Sequence, residues 1–194
     1  MEIVAVFHNI RSLHNVGSLF RTADAAGVTK LYLCGITPTP LDRFGHVRPQ
    51  LAKVALGAEQ SVAWEKASSA SVLIKKLKRD GFRIVAIEQD RKAMPYYNKW
   101  KPFDPFNTVQ GRPESNRMGG KAQGNNQRKL ALIVGNEVNG IPKTILRASD
   151  TIVEIPMRKA MVRQAHHPRH SGRGKESLNV VVAFGIVVFH ILNS

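Results

Sequence analysis

The stretch that most constrains this chain is LALIVGNEVNGIP, at residues 130–142. Its apolar run, residues 130–134, stops at Gly135, Asn136 and Glu137. Short apolar runs that end at Gly or Asn are typical of buried strands that open into loops. In an open α/β sheet, ligands bind in the loops beyond the carboxyl ends of the strands. The stretch therefore predicts a buried strand followed by a ligand-binding loop.

This loop holds one carboxylate, Glu137, between two glycines. Gly135 and Gly140 permit positive φ angles and let bare backbone lie close to a ligand. From these residues alone, a solvated loop glutamate and a functional glutamate are equally good interpretations of Glu137. The choice between them depends on the rest of the chain.

Segments with strand and helix patterns alternate along the sequence. Apolar, β-prone segments occur at residues 2–7, 29–34, 62–64, 83–88, 130–134 and 151–155. Helix patterns occur at residues 15–27, 68–79, 143–148 and 180–192. The last of these is assigned to a helix because a strand of its length would be exceptional. The alternation favours one α/β domain over residues 1–194, with a mainly parallel sheet and helices on both faces.

Residue types also predict how the helices begin, end and pack. Asn15 suits the N-cap of the first helix and Gly27 its C-cap, while Ser177 suits the N-cap of the last helix. The segment at residues 68–79 is amphipathic. Its side chains expected to face the core are Val72, Leu73, Ile74 and Leu77.

The charge of the chain is strongly unbalanced. There are 29 Lys and Arg residues against 14 Asp and Glu, which gives a formal net charge of +15. This surplus favours a polyanionic partner, with nucleic acid ahead of an anionic membrane. A solvated basic surface without a partner is the alternative interpretation. Arg43, Arg48 and Lys53 follow the second predicted strand, in a region that is either RNA-facing or plainly solvated.

Cysteine content and hydropathy indicate the compartment. A single cysteine, Cys34, excludes an internal disulfide framework and fits a reducing environment. It lies in an apolar strand pattern, which predicts a buried and inert thiol. The N-terminus has no signal-peptide pattern, and the apolar run at residues 178–192 is shorter than the ~20 residues that span a bilayer. We therefore expect a cytoplasmic protein without membrane contact.

Two polar segments break the alternation. Residues 107–128 are Gly-rich, residues 158–174 are strongly basic, and neither segment has periodicity. Structureless loops of this length are uncommon inside a compact domain, so both are predicted to be flexible insertions. The second holds three histidines but no cysteine, and no regular element that would fix a metal geometry. We therefore expect no metal site.

Three motifs, taken together, resemble a known family. The first is NVGSLFRTADAAGV at residues 15–28, and the second is LIVGNEVNGI at residues 132–141. The third combines IPM at residues 155–157 with ESLNV at residues 176–180. Their order and spacing, apart from the insertions, are similar to those of the SpoU/TrmH family of RNA ribose 2′-O-methyltransferases, within the SPOUT superfamily. The resemblance covers nearly the whole chain.

The resemblance implies an α/β fold whose C-terminal part forms a deep trefoil knot, a feature that ordinary rules of chain connection argue against. It implies S-adenosylmethionine bound in a bent form inside the knot. It also implies a homodimer in which the partner subunit completes each active site. The cofactor-binding residues that it assigns are Val134, Gly135, Asn136, Gly140, Ile155, Pro156, Met157 and Leu178.

The same resemblance assigns catalytic roles. Arg21 would lie at the ribose 2′-hydroxyl of the RNA. Because guanidinium groups resist deprotonation, either a nearby phosphate takes the proton or Arg21 serves as an electrostatic clamp. Asn15 would orient Arg21 or the ribose, and Glu137 would position the loop backbone or the substrate. Ser177 and Asn179 would form hydrogen bonds in the catalytic pocket.

The implied activity is methylation of a ribose 2′-hydroxyl in transfer RNA or ribosomal RNA. Direct RNA contacts are expected from Arg11, Arg43, Arg48 and Lys53. The insertion at residues 158–174 stands where family members generally have a short loop. A second hypothesis is therefore a non-catalytic RNA-binding protein that keeps the fold. A third is methylation of a base instead of a ribose.

Overall fold

The computed structural model describes residues 1–98, 128–157 and 177–193. The insertion predicted at residues 158–174, and all of the one predicted at 107–128 except its last residue, lie outside these ranges. In chain order the elements are β1 (Glu2–His8), α1 (Leu13–Ala25), β2 (Lys30–Cys34), α2 (Pro49–Ala55), α3 (Ala58–Ser61), β3 (Ala63–Ala67), α4 (Ala70–Arg79), β4 (Arg83–Ile87), β5 (Met94–Pro95), β6 (Lys129–Val134), α5 (Lys143–Ala148), β7 (Thr151–Glu154) and α6 (Val180–Leu192).

The strands form one sheet in the order β3-β2-β1-β6-β4-β7-β5, and every pair of neighbours is parallel. The parallel α/β sheet predicted from the alternating segments is therefore confirmed. Since all strands run the same way, their carboxyl ends lie along one edge of the sheet. The loops that follow β1, β4, β6 and β7 all leave from this edge, near the middle of the sheet.

Both faces of the sheet are covered, so its central strands are apolar on both sides. On β1, Phe7 belongs to a core that includes residues of α1, α2 and α6, while Val6 belongs to a second core with α4 and α5. Phe7 meets Phe184 of α6 edge to face, with ring centroids 5.7 Å apart. This contact fixes α6 against the sheet beside α1.

The predicted caps of α1 and α6 are wrong by a few residues. Ser12 is the N-cap of α1, and its hydroxyl accepts a hydrogen bond from the backbone N–H of Asn15. The helix ends at the C-cap Ala26, and Gly27 follows at φ +64°, just beyond the cap. Asn179, not Ser177, caps α6 by accepting from the N–H of Val181. The earlier start of α1 leaves the Asn15 side chain available for other contacts.

In α4 the apolar face is narrower than predicted. Leu73, Ile74 and Leu77 are buried, as expected, but Val72 is 68% exposed. Two residues along a helix correspond to a rotation of about 200°. Val72 therefore lies on the side opposite Ile74, and its prediction as a core residue is wrong.

Cys34 lies at the end of β2 and is buried, as predicted. Burial raises the pKa of its thiol to about 12, although the neighbouring Lys66 acts in the opposite direction. The thiolate is the reactive form of cysteine, so this side chain is inert at neutral pH. Within the described ranges, no helix combines the length and apolar character that crossing a membrane requires.

Candidate active site

A cavity of about 620 Å³ opens at the carboxyl edge of the sheet, between the ends of β4, β6 and β7 and the start of α6. Four of the predicted catalytic residues line it, namely Asn15, Glu137, Ser177 and Asn179. Six of the predicted cofactor residues also line it, namely Val134, Gly135, Asn136, Gly140, Ile155 and Leu178. The cavity thus brings together all three sequence motifs.

Asn136 shapes the loop after β6. Its Oδ1 accepts hydrogen bonds from the backbone N–H groups of Val138 and Asn139, both at 2.9 Å. Its Nδ2 donates to the carbonyl of Asn9 at 2.7 Å, and its own carbonyl accepts from the N–H of Gly140. The Asn136 side chain is therefore used to fold this loop and to join it to the loop after β1.

The two glycines of the loop are required by its own packing. A Cβ on Gly135 would lie 2.6 Å from the carbonyl carbon of Gly140. Gly140 has φ +64°, and a Cβ there would lie 2.5 Å from a carboxylate oxygen of Glu88. The close approach predicted between these glycines and a ligand is thus, in this structure, an approach to neighbouring protein atoms.

Glu137 is the centre of a hydrogen-bond cluster. Its carboxylate accepts from Asn15 Nδ2 at 2.9 Å and from the backbone N–H groups of Arg11 at 3.2 Å and Ser12 at 3.4 Å. Burial acts to raise the pKa of Glu137, but the hydrogen bonds from Asn15 and the backbone outweigh it, so the pKa is lowered. The carboxylate is charged at neutral pH and lies at the N-terminal end of α1, where the helix dipole favours an anion.

The cluster continues from Glu137 to the C-terminal motif. Asn179 Nδ2 donates to Asn15 Oδ1 at 3.4 Å. Glu137, Asn15 and Asn179 therefore form a short polar chain that joins the loop after β6, the start of α1 and the start of α6. These contacts exclude the other interpretation that the sequence left open, in which Glu137 is a solvated loop residue.

Two carboxylates of the cavity, Glu88 and Glu154, were not predicted from the sequence. Glu88 follows β4 directly, and its Oε2 accepts from the N–H of Ile141 at 2.7 Å, while Oε1 accepts from the N–H of Gln89 at 3.1 Å. Glu88 thus holds the far end of the loop that Asn136 closes. Its position after a buried strand, at the same edge as residues 135–137, was the signal that could have found it.

Three of the predicted catalytic and cofactor-binding residues do not line the cavity. Arg21 is exposed on α1, six residues beyond Asn15, and Pro156 and Met157 are exposed beyond β7. Of the predicted RNA-binding residues, Arg11, Arg43 and Lys53 are exposed, whereas Arg48 is half-buried and its Nε is enclosed without a hydrogen-bond partner in the described structure. Residues 1–98, 128–157 and 177–193 contain no cluster of three side chains suited to a metal.

The chain matches the profile of the SpoU rRNA Methylase family over residues 2–163. It belongs to this family. Among curated relatives, it is 27% identical over 189 residues to the 23S rRNA (guanosine-2′-O-)-methyltransferase RlmB of Blochmanniella floridana, covering 97% of this chain and 56% of that protein. The resemblance inferred from the three motifs is therefore confirmed, and the chain spans little more than half the length of this relative.

Solved structures support the same fold. The AdoMet-bound rRNA methyltransferase from Sinorhizobium meliloti matches with a TM-score of 0.67 and 21% identity, covering 99% of this chain and 56% of that one. The TrmH/SpoU tRNA modifying enzyme of A. aeolicus matches with a TM-score of 0.67 and 22% identity, covering 99% and 74%. This SpoU family member thus shares the architecture of enzymes named for rRNA and for tRNA.

Proposed function

We propose that this SpoU family member transfers a methyl group from S-adenosylmethionine to a ribose 2′-hydroxyl of ribosomal or transfer RNA in the cytoplasm. The observation that carries the proposal is the polar chain of Glu137, Asn15 and Asn179 at the edge of the cavity. Each of its members comes from a different family motif. The name of the RlmB relative, a guanosine-2′-O-methyltransferase of 23S rRNA, supports the ribose as the acceptor.

The walls of the cavity fit S-adenosylmethionine. A volume of about 620 Å³ is within the range of roughly 300–1,000 Å³ that small-ligand pockets have. Apolar walls from Val134, Ile155 and Leu178 suit the adenosine part of the cofactor, and the carboxylates of Glu88 and Glu154 suit its positive charge. When bound, the cofactor supplies a methyl group already activated on a sulfonium. Gly135, Asn136 and Gly140 would shape the loop around it, with Pro156 and Met157 at its margin.

The residues of the chain then have to orient the ribose and exclude water. Asn15 is fixed by Glu137 and presents its amide beside Asn179, so the two amides can hold ribose hydroxyls in a set orientation. Ser177 adds a hydroxyl to the same wall. Glu137, as a charged acceptor, keeps this arrangement rigid and does not need to exchange a proton.

We propose that Arg21 acts across a subunit interface. Its exposed position on α1, outside the cavity of its own chain, fits a homodimer in which Arg21 reaches the site of the partner subunit. There it would act on the ribose 2′-hydroxyl, as clamp or through a phosphate that takes the proton. Arg11, Arg43, Arg48 and Lys53 would contact RNA phosphates. We also propose that the C-terminal part of the chain, which includes α6, forms the deep trefoil knot.

Titration with S-adenosylhomocysteine and methyl transfer to total RNA test this function. The wild type should bind the cofactor product and label RNA, with the methyl located on ribose by nuclease digestion and mass spectrometry. Arg21→Ala should abolish transfer and keep cofactor binding, whereas Arg79→Ala, at an exposed arginine in the last turn of α4, should keep both.

Two results would contradict the proposal. Absence of binding heat at millimolar S-adenosylhomocysteine would favour the non-catalytic RNA-binding alternative, which the basic insertion at residues 158–174 motivates. Methyl groups found on bases would favour the base-methylating alternative.

A further inference from the structure

A short turn at the carboxyl edge of the sheet presents an aromatic ring to solvent. We call it the Phe44 turn, residues 41–47. An antiparallel bridge joins Leu41 to Val47 at its base. Asp42 Oδ1 accepts from the N–H groups of Phe44 at 2.8 Å and His46 at 2.9 Å. The backbone of the turn is therefore held by its own hydrogen bonds, and Phe44 projects from it.

The displayed ring is flanked by two nitrogen-rich side chains. Phe44 is 68% exposed. The guanidinium carbon of Arg43 lies 4.6 Å from the centre of its ring, and the His46 ring lies 6.2 Å away at an interplanar angle of 40°. An exposed aromatic ring next to a cation is the combination with which proteins stack on unpaired nucleobases and hold the adjoining phosphate.

The segment that leads into the Phe44 turn is hydrogen-bonded to the loop after β1, and that loop is bonded to the cavity loop. Ile36, before the turn, donates its N–H to Asn9 Oδ1 at 3.0 Å, and the fully buried Thr37 accepts from the N–H of Ile10 at 3.1 Å. The carbonyl of Asn9 in turn accepts from Asn136 Nδ2, in the cavity loop. The turn and the cavity loop thus both lie at the carboxyl edge of the sheet, and we expect an RNA whose ribose enters the cavity to reach the turn.

Charge distinguishes RNA from a protein partner here. Residues 38–56 carry three cationic side chains and one carboxylate, and that carboxylate, Asp42, is directed into the turn by its backbone hydrogen bonds. The outer side of the turn is therefore cationic and aromatic, on a chain with a net charge of +15. This combination complements a polyanion with exposed bases better than it complements another +15 subunit.

We propose that the Phe44 turn is an RNA-docking element, in which Phe44 stacks on an unpaired base of the substrate and Arg43 pairs with the neighbouring phosphate. The proposal rests on the RNA methyltransferase function proposed above. It specifies that the substrate offers a single-stranded base close to the methylated nucleotide.

Binding of a short single-stranded oligoadenylate, followed by fluorescence anisotropy, tests the proposal. Phe44→Ala should weaken the affinity by about 5- to 150-fold, the range expected from losing one stacked base. Phe44→Leu, whose side chain is apolar but not aromatic, should lose as much affinity. Phe44→Tyr should bind the oligonucleotide nearly as tightly as the wild type. Binding of S-adenosylhomocysteine should be unchanged in all three, because Phe44 is not part of the cavity wall.

The opposite results have distinct meanings. Wild-type affinity in Phe44→Ala or Phe44→Leu would overturn the stacking role while leaving the proposed function intact. A dimer-to-monomer change of Phe44→Ala in sedimentation, with RNA affinity of the protomer preserved, would identify the turn as a subunit contact and also overturn it. A wild type that binds cofactor product but no RNA would refute the proposed function together with the docking element.

Discussion

Glu137 shows how one side chain can connect three distant parts of a chain. It accepts from the backbone at the start of α1 and from Asn15, and Asn15 accepts from Asn179 at the start of α6. Three donors converge on its carboxylate, which explains why the pKa of Glu137 is lowered in spite of burial. The same contacts make its charge part of the stability of the fold.

The first prediction concerns the pH dependence of this contribution. A carboxylate whose folded pKa lies below its unfolded value stabilises the fold fully above the ordinary value of 4.5, and the stabilisation is lost as pH falls through the folded pKa. Glu137→Gln should therefore be less stable than the wild type at pH 7, by about 1–3 kcal/mol for donors left with a poorer acceptor. The difference should shrink as pH falls below 4.5.

Urea unfolding at neutral and acidic pH measures this difference. Glu65→Gln is the matched control, because Glu65 forms a largely exposed ion pair with Lys30, with Nζ and Oε2 2.8 Å apart. Glu65→Gln should lower the free energy of unfolding at pH 7 by about 0–1 kcal/mol. Equal stability of Glu137→Gln and wild type at pH 7 would contradict the central position assigned to Glu137.

At the scale of elements, α1 and α2 cross where α1 has a glycine. A Cβ on Gly17 would lie 2.6 Å from the carbonyl oxygen of Leu51 and 3.1 Å from the Cβ of Val54. Helix α6 also contains a glycine, Gly185, but there a Cβ would meet only Thr22 Cγ2, at 3.6 Å. The two glycines therefore allow a matched comparison between helices packed on the same face of the sheet.

The second prediction is that the same substitution has opposite effects at these two positions. Gly17→Ala should destabilise by about 1–3 kcal/mol, because the backbone of α2 has to move away. Gly185→Ala should stabilise by about 0.5–1 kcal/mol, because alanine is the better helix former and the added methyl finds room. Unfolding in urea gives both values. A Gly17→Ala variant at least as stable as the wild type would show that the crossing of α1 and α2 is looser than these distances indicate.

At the scale of the whole molecule, we expect the proposed active site to be divided between the two chains of a homodimer. Asn179 lines the cavity of its own chain, while Arg21 is exposed on α1 outside it. A shared site of this kind predicts complementation between two inactive variants, because a mixed dimer restores one complete site.

The third prediction follows from this division. Arg21→Ala and Asn179→Ala should each be inactive alone. When the two chains are co-expressed in equal amounts, random pairing into dimers should restore about a quarter of the wild-type activity, since half of the dimers are mixed and each has one intact site. Methyl transfer to total RNA measures the recovery. Activity that stays at the background of the single variants would place Arg21 in the site of its own chain or outside the chemistry.

The local pattern of the sequence determined the elements and their packing class. Apolar segments of three to six residues, alternating with amphipathic segments, were enough to predict the parallel sheet, and buried strands such as β6 follow from composition alone. The helix boundaries were predicted less accurately. Ser12 and Asn15 are both good cap residues, and only the turn of the backbone at Ser12 selects between them.

Ten of the thirteen predicted catalytic and cofactor-binding residues line the cavity, but their arrangement was not predicted. The family motifs pointed to Asn15, Glu137 and Asn179, yet residues 122 and 164 positions apart meet only because parallel strands bring their carboxyl ends to one edge. Glu88 has no motif of its own, and its hydrogen bond to Ile141 spans 53 positions. Periodicity reports which side of an element is buried, whereas the partner of a polar side chain is selected by the packing of separate elements. For that reason the sequence by itself determined the sheet, the helices and the chemistry of the motifs, and only the tertiary structure decided which atoms hold them together.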